Sequence, residues 1–204
     1  MTQAPQQDRS RETRRKLLEC TVEMLSTRGV QATTVSQVAE AAGVSRGAAQ
    51  HHYPSREALI RDAVEKISRE RLALFKQAID EISPGAQGRN SSYEIVRLVL
   101  CEYTNQLFHA AVHIWSAAAQ DAALREVMLP AEEHYNREVH KMVVTALRAD
   151  LRDQHTRRVL HTLFDVARGL GLASVLVDVS DQLERSTQTY ADFLSGIAVL
   201  DGPA

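Results

Sequence analysis

Several residue types that define a fold class are scarce in this chain of 204 residues. Only two cysteines occur, Cys20 and Cys101, which is too few for the disulfide framework of a small secreted domain. Apolar residues make up 44% of the sequence, yet no run approaches the roughly 18 residues that a membrane span needs. The first ten residues are polar and lack the apolar core of a secretory signal peptide. These absences predict a soluble cytoplasmic protein whose thiols are reduced.

The signatures of catalysis and of bound cofactors are also missing. The sequence has no glycine-rich loop that would cradle phosphate and no Gly-x-Ser-x-Gly turn. His109 and His113 are four residues apart, which puts both imidazoles on one helix face, but the sequence supplies no third ligand beside them. We therefore predict that the chain is not an enzyme and that it has no cofactor and no metal. A metal sensor or a helical small-molecule-binding protein is kept as the alternative.

Charge is unevenly distributed along the chain. The net charge is −2, but residues 9–56 contain eight Lys or Arg and four Asp or Glu, a net charge of +4 that leaves −6 for the rest. The basic residues at the start of the first predicted helix are Arg9, Arg11, Arg14, Arg15 and Lys16. A positive end on an acidic protein favours docking of one face on phosphates. As an alternative, these basic residues form a solvated helix end that follows a disordered tail at residues 1–8 and does not bind DNA.

Residues 33–56 predict two short helices joined by a tight turn. Thr34 and Gln37 fit a capping box at the start of the first helix. Gly43 follows the apolar positions of that helix, where a left-handed residue can end it without a steric clash. The apolar positions recur at helical spacing: Val35, Val38, Ala39 and Ala42. This pattern predicts a helix-turn-helix.

The second helix of the motif has a face suited to the major groove of DNA. Ser45 can cap its start, Pro54 ends it, and Ala49 turns inward. The residues on its outer side are Arg46, Gly47, Ala48, Gln50 and His51. Arginine can pair with guanine and glutamine with adenine, and the small residues allow close approach. An ordinary helical hairpin with a polar outer face is the alternative.

Residues 11–59 resemble the amino-terminal domain of the TetR (tetracycline-repressor) family of bacterial regulators. The matching motifs are residues 26–29, 32–35, 42–47 and 51–59. Family members commonly have a tyrosine that contacts phosphate near the position of Gln50, so this chain departs from the pattern and we expect Gln50 to read a base. The resemblance implies a homodimeric repressor that leaves a palindromic operator when a small, largely apolar ligand binds. A dimer is needed because one short helix reads too few base pairs.

The DNA contacts fall into two groups. We expect five residues to hold phosphates: Thr34, Ser45, His52, Tyr53 and Arg56. We expect the outer residues Arg46, Gly47, Gln50 and His51 to face the bases, with Ala48 beside them.

Helical patterns cover nearly the whole chain and predict an all-α fold of about nine helices. We expect a helix-turn-helix domain at residues 1–56 and a larger ligand-binding and dimerisation domain at residues 57–204. Residues 56–82 form one long predicted helix, which in the family links the two domains. Residues 83–90 contain proline and glycine and are the clearest predicted break.

Two sets of residues in the larger domain have predicted binding roles. The last two helices combine small and apolar residues, and they predict either a dimer interface, an internal core, or a mixture of both. The interface candidates are Leu163, Phe164, Ala167, Leu170, Gly171, Ser174, Val175, Tyr190, Phe193, Leu194 and Ile197. The middle of the chain contains large adaptable side chains with polar partners, typical of a ligand cavity or of a plain core. The pocket candidates are Tyr103, Phe108, His113, Trp115, Gln120, Met128, Tyr135 and Met142.

Overall fold

The computed structural model describes residues 4–82 and 89–200. Nine α-helices and no β-strand occur in these residues, which confirms the predicted all-α fold. The helices are α1 (Ala4–Arg28), α2 (Val35–Ala41), α3 (Arg46–His52), α4 (Arg56–Ile82), α5 (Arg89–Tyr103), α6 (Gln106–Ala118), α7 (Ala122–Leu147), α8 (Gln154–Ser174) and α9 (Ser180–Ser195). Helix α1 begins at Ala4, earlier than the predicted tail at residues 1–8 allows. Residues 1–3, and the predicted break except for the start of α5, lie outside the described residues.

The capping signals at the start of the motif operate locally, which is why they could be identified in the sequence. The hydroxyl of Thr34 accepts a hydrogen bond from the amide of Gln37 at 3.3 Å and donates to the side-chain oxygen of Gln37 at 2.8 Å. The glutamine thus bonds to the threonine hydroxyl, whereas a capping box would place it on the backbone amide. Gly43 has φ +65°, the left-handed conformation expected after α2.

Side-chain caps also fix the next two helices. Ser45 accepts a hydrogen bond from the amide of Ala48 at 3.3 Å at the start of α3, and Pro54 follows the end of that helix. Ser55 accepts from the amide of Ala58 at 3.2 Å at the start of α4. Each cap satisfies an amide that has no partner within its helix, so α3 has defined ends although it is only seven residues long.

The chain divides into two compact units that differ from the predicted domains. The first unit contains the described residues through Glu70 together with Ala110–Glu133, and the second contains the described parts of Arg71–His109 and His134–Ala204. In the first unit, one apolar cluster joins α1, α2, α3 and the start of α4: Leu17, Met24, Val38, Ala39, Ala49, Tyr53 and Leu59. The motif helices are therefore held by burial of their inner faces. The domain boundary after residue 56 stays a prediction.

In the second unit, α5 packs against both α8 and α9. Buried residues on α5 include Ile95, Val96 and Val99, and those on α8 include Leu160 and Leu163. Helix α7 continues through Pro130 as a single element. None of the helices in the described ranges is long and apolar enough to cross a membrane.

Candidate functional site

The outer face of α3 is a small polar surface on a helix whose inner face is fixed. Ala49 is 0% exposed and anchors the inner side, where its methyl group packs in the apolar cluster. The outer residues Arg46, Gly47, Gln50 and His51 are all exposed, and Ala48 is half-buried. An arginine and a glutamine on one exposed helical face supply the donors and acceptors that read base edges.

Tyr53 follows α3 immediately and is only 2% exposed. Its hydroxyl accepts a hydrogen bond from Nε of Arg14 at 3.3 Å and donates to Oδ2 of Asp62 at 3.1 Å. Nη2 of Arg14 reaches the same Asp62 oxygen at 2.5 Å. Burial raises the pKa of Tyr53 above its ordinary value. The predicted phosphate ligand is thus engaged in a contact between α1, α3 and α4.

Arg56 is likewise engaged within the protein. Its guanidinium donates to the carbonyl of Val30 at 2.6 Å and to the carbonyl of Thr33 at 3.2 Å. These carbonyls belong to the turn between α1 and α2, so Arg56 fixes that turn against the start of α4. A phosphate role for Tyr53 and Arg56 stays a prediction, and the structure gives both a role in positioning the motif.

Other predicted phosphate ligands lie nearer the solvent. Ser45 is exposed, and Thr34 and His52 are half-buried. Burial, His51 and Arg14 lower the pKa of His52, which favours its neutral form. The basic start of α1 is partly neutralised, because Arg15 pairs with Glu12 at 2.6 Å and with Glu19 at 2.8 Å.

A buried charged cluster lies in the second compact unit. Arg71 is 2% exposed and donates through Nε to Oε1 of Glu102 at 2.9 Å. The hydroxyl of Tyr135 donates to the same carboxylate oxygen, and Nδ2 of Asn105 donates to the other oxygen at 3.2 Å. Burial raises the pKa of Tyr135 well above its ordinary value, so the hydroxyl keeps its proton.

Aromatic rings surround this ion pair. The guanidinium carbon of Arg71 lies 3.9 Å from the ring centre of Tyr135 and 5.8 Å from that of Phe108. Tyr103 packs edge-on against Phe108 with ring centres 5.2 Å apart, and its hydroxyl donates to Oδ1 of Asn136 at 3.0 Å. Nη2 of Arg71 is buried and has no hydrogen-bond partner in the described part of the chain. The cluster therefore holds one unused donor beside aromatic rings.

The structure distributes the eight predicted pocket residues over both compact units. Phe108 and Tyr135 lie beside Arg71 in the second unit, and Tyr103 packs against Phe108. The same unit contains the half-buried Met142. The remaining candidates belong to the first unit: His113, Trp115, Gln120 and Met128. Met128 lies in an apolar core cluster with Trp115 packed against it, whereas His113 and Gln120 are exposed.

Six of the eleven predicted interface residues are buried within a single chain. The buried members are Leu163, Phe164, Ala167, Gly171, Tyr190 and Leu194. The physical reason is visible at Gly171, where an added Cβ would lie 2.1 Å from the carbonyl oxygen of Tyr103. The small residue at Gly171 thus allows close packing inside the subunit, and a role of these six residues at a dimer interface stays a prediction.

The other interface candidates are less buried. Leu170, Ser174, Val175 and Ile197 are half-buried and Phe193 is 49% exposed. Ser174 is also bonded within the subunit, because its hydroxyl lies 2.8 Å from Nε2 of His109. The described residues contain no group of three or more potential metal ligands, either around His109 and His113 or elsewhere.

Sequence reasoning missed the Arg71–Glu102 pair, although α4 contains a signal. Arg71 continues the apolar stripe of Ala63, Ile67 and Phe75 at helical spacing, so a charge replaces an apolar residue on a buried face. A charge in such a position needs a partner, because burying an unpaired ion is costly. The sequence does not show which of the distant acidic residues is that partner.

Comparison with known proteins supports the interpretation of the amino-terminal motif. Residues 17–63 match the family model described as bacterial regulatory proteins, tetR family. The HTH-type transcriptional regulator CymR of Pseudomonas putida is 29% identical over 190 residues, which is 88% of each chain. The HTH-type transcriptional repressor KstR2 of Rhodococcus jostii is 26% identical over 156 residues, covering 75% of this chain and 73% of its own.

Solved structures show the same fold. The multidrug binding protein EbrR, complexed with imidazole, superposes with a TM-score of 0.65 and 19% identity, covering 92% of this chain and 96% of its own. The matched family and the curated relatives are named as regulators, so this chain is a transcriptional regulator and not an enzyme. The motif of α2 and α3 lies within the matched residues, so the amino-terminal part of this chain is similar to the tetR family of bacterial regulatory proteins.

Proposed function

We propose that this protein is a homodimeric, sequence-specific repressor that leaves a palindromic operator when a small molecule binds. One observation carries the DNA part of the proposal: α3 buries Ala49 completely and exposes Arg46, Gln50 and His51 on the opposite side. A capped helix with a fixed inner face can present these side chains in one orientation. Recognition helices of helix-turn-helix proteins enter the major groove in this way.

In the proposed complex, the outer residues of α3 read bases. Arg46 and Gln50 make the polar contacts, and Gly47 lets the backbone approach because it has no side chain. His51 lies beside them on the exposed face. Ser45, Thr34 and His52 contact phosphates at the ends of the motif helices. Such contacts orient the protein but carry no sequence information.

We assign Tyr53 and Arg56 to positioning of the motif. Both bond to groups of the protein, Tyr53 to Arg14 and Asp62, and Arg56 to the turn before α2. These bonds tie α3 and the turn before α2 to α4. A reading helix held in this way pays little conformational entropy on binding DNA.

The selectivity of α3 can be tested by substituting Gln50. We expect Gln50→Ala to weaken the preference at one base pair of each half-site by about 1–3 kcal/mol, with affinity for random DNA nearly unchanged. The matched control is Gln182→Ala, because Gln182 is exposed on α9. Binding-site selection by the wild type and both variants compares their base preferences. Identical preferences for the wild type and Gln50→Ala would contradict the assignment of Gln50.

We propose that the dimer forms through the exposed apolar residues near the end of α8 and on α9. Leu172 is 50% exposed, Leu176 87%, Val177 58% and Phe193 49%. Exposed large apolar side chains favour association with a partner. Two copies would place two α3 helices on the half-sites of a palindrome.

The oligomeric state can be tested with Leu176→Glu. Sedimentation should show a dimer for the wild type and a monomer for Leu176→Glu, because a carboxylate cannot be buried without a partner. The control is Leu74→Glu, since Leu74 is 59% exposed on a different helix, α4. A wild type that is monomeric at micromolar concentration would contradict the dimer.

We propose that the effector binds at the aromatic cluster around Arg71. A small, largely apolar molecule could pack on Phe108 and Tyr135 and place one oxygen acceptor at Nη2 of Arg71, the donor without a partner. Arg71 lies on α4, the helix that begins four residues after α3 ends. A ligand that moves Arg71 would therefore tilt α4 and change the spacing of the two α3 helices. Coupling of a few kcal/mol is enough to release specific DNA.

A further inference from the structure

A second candidate ligand site lies in the groove between α7 and α8, separate from the Arg71 cluster. Its volume is about 460 Å³, which is within the range of small-molecule pockets. Helix α7 contributes Asn136, Arg137 and His140, and α8 contributes His161, Phe164, Asp165 and Arg168. All seven belong to the second compact unit, so the groove lies within one packed body.

The charges of the groove favour an anion. Arg137 is exposed and makes no ion pair in the described part of the chain. Nη2 of Arg168 is bonded to Oδ1 of Asp165 at 2.5 Å, which leaves the rest of its guanidinium fork available. Asp165 is the only carboxylate among the seven lining residues, against two arginines. A planar carboxylate matches the fork of an arginine, which can bind both of its oxygens.

The floor of the groove is aromatic and has one unused polar atom. The ring of His140 lies 5.5 Å from the ring of Phe164 and 6.0 Å from that of His161, measured between ring centres. Nε2 of His140 is buried and has no hydrogen-bond partner among the described residues. Burial and His161 lower the pKa of His140, which favours the neutral ring, and a neutral imidazole can donate one hydrogen bond. Flat rings in the floor suit a flat apolar ligand body.

We infer that this groove binds a flat organic carboxylate, with the carboxylate at Arg137 and Arg168 and the apolar body over Phe164 and His140. Nε2 of His140 offers the ligand an additional polar contact. The groove also touches the Arg71 cluster, because Asn136 lines it and accepts the hydrogen bond from the Tyr103 hydroxyl. The inference does not require that the protein bind DNA, since it concerns binding of a small molecule to the free protein.

Isothermal titration of the full chain with naphthalene-2-carboxylate tests the inference, with naphthalene-2-carboxamide as the uncharged control. A ligand of this size bound with ordinary efficiency should have a Kd of about 1 mM or lower. The carboxamide should bind at least about tenfold more weakly, because it lacks the charge that both arginines recognise. Absence of binding by the carboxylate up to about ten times that Kd, or equal binding of the two compounds, overturns the inference.

Substitutions separate the proposed contacts from effects on folding. Arg137→Gln and Arg168→Gln should each weaken carboxylate binding by about tenfold, whereas Arg158→Gln, an exposed arginine of α8 outside the groove, should leave it unchanged. Asp165→Asn should strengthen binding, because it removes the competing carboxylate and frees Arg168. Weaker binding by Asp165→Asn would overturn the inference even if the arginine variants behaved as expected. The titrations contain no DNA, so their failure would leave the proposed repressor function standing.

Discussion

Two glycines of the helix-turn-helix should respond in opposite ways to the same substitution. Gly43 has φ +65°, whereas Gly47 is part of the first turn of α3. An added Cβ meets nothing within 4 Å at either position. Steric contact therefore cannot distinguish the two alanine variants, and the difference has to come from the backbone conformation.

The magnitudes follow from that conformation. Gly43→Ala should lower the free energy of unfolding by about 1–2 kcal/mol, the usual penalty of a left-handed alanine. Gly47→Ala should raise it by about 0.5 kcal/mol, because alanine has less conformational freedom to lose in a helix than glycine has. The two variants should thus differ by about 2 kcal/mol in urea denaturation followed by circular dichroism.

The same pair tests the orientation of α3. The new methyl group of Gly47→Ala would occupy the surface that we propose approaches the bases, so this more stable variant should bind its operator at least about tenfold more weakly. Stability and binding would then change in opposite directions. Wild-type affinity of Gly47→Ala for its operator would contradict the proposed DNA face, and equal stability of the two variants would contradict the assigned conformation of Gly43.

Three further predictions concern the bonds described above. Arg71→Met should destabilise the protein by about 3–5 kcal/mol, because it leaves Glu102 buried without its cation. Adding Glu102→Gln should recover at least about 1 kcal/mol of stability in a double-mutant cycle. Strictly additive effects of the two substitutions would contradict the pairing. Tyr53→Phe should lower the stability of the protein by about 1 kcal/mol, measured by denaturation, because it removes the hydroxyl's hydrogen bonds. Its operator preference, measured by binding-site selection, should be unchanged. An altered preference would indicate that Tyr53 contacts DNA directly. Burial and His161 lower the pKa of His140 below its ordinary value in the folded protein. Its contribution to stability is therefore present above that ordinary value and is lost as the pH falls through the lowered pKa. Stability of the wild type should therefore fall more steeply between pH 7 and 5 than that of His140→Gln, and parallel curves would contradict this.

Local signals explain why the motif could be predicted from the sequence. Gly43 and Ser45 act through their own backbone conformation or through an amide three residues away, so their roles depend on neighbours in the sequence. The outer face of α3 follows from helical spacing once Ala49 is placed inside. Helix existence was therefore predictable across the described ranges, and the start of α1 was not, because helix ends depend on weak local preferences.

Long-range partners explain what the sequence could not supply. Arg71 and Glu102 are 31 residues apart, and the groove between α7 and α8 depends on which faces of two helices meet. The small residues of α8 illustrate the limit, because close packing inside a subunit and close packing between subunits need the same residue types. The position of Tyr103 beside Gly171 shows that the stripe packs inside the chain at this point.

Selection from random duplex DNA would show whether the protein recognises a DNA sequence as a dimer. The full chain would be mixed with the random pool at moderate salt, and the bound fraction would be sequenced after several rounds. We expect a palindrome whose half-sites are separated by about one helical turn, because two α3 helices of a symmetric dimer would read successive major grooves. An unenriched pool recovered by folded, dimeric protein would contradict it.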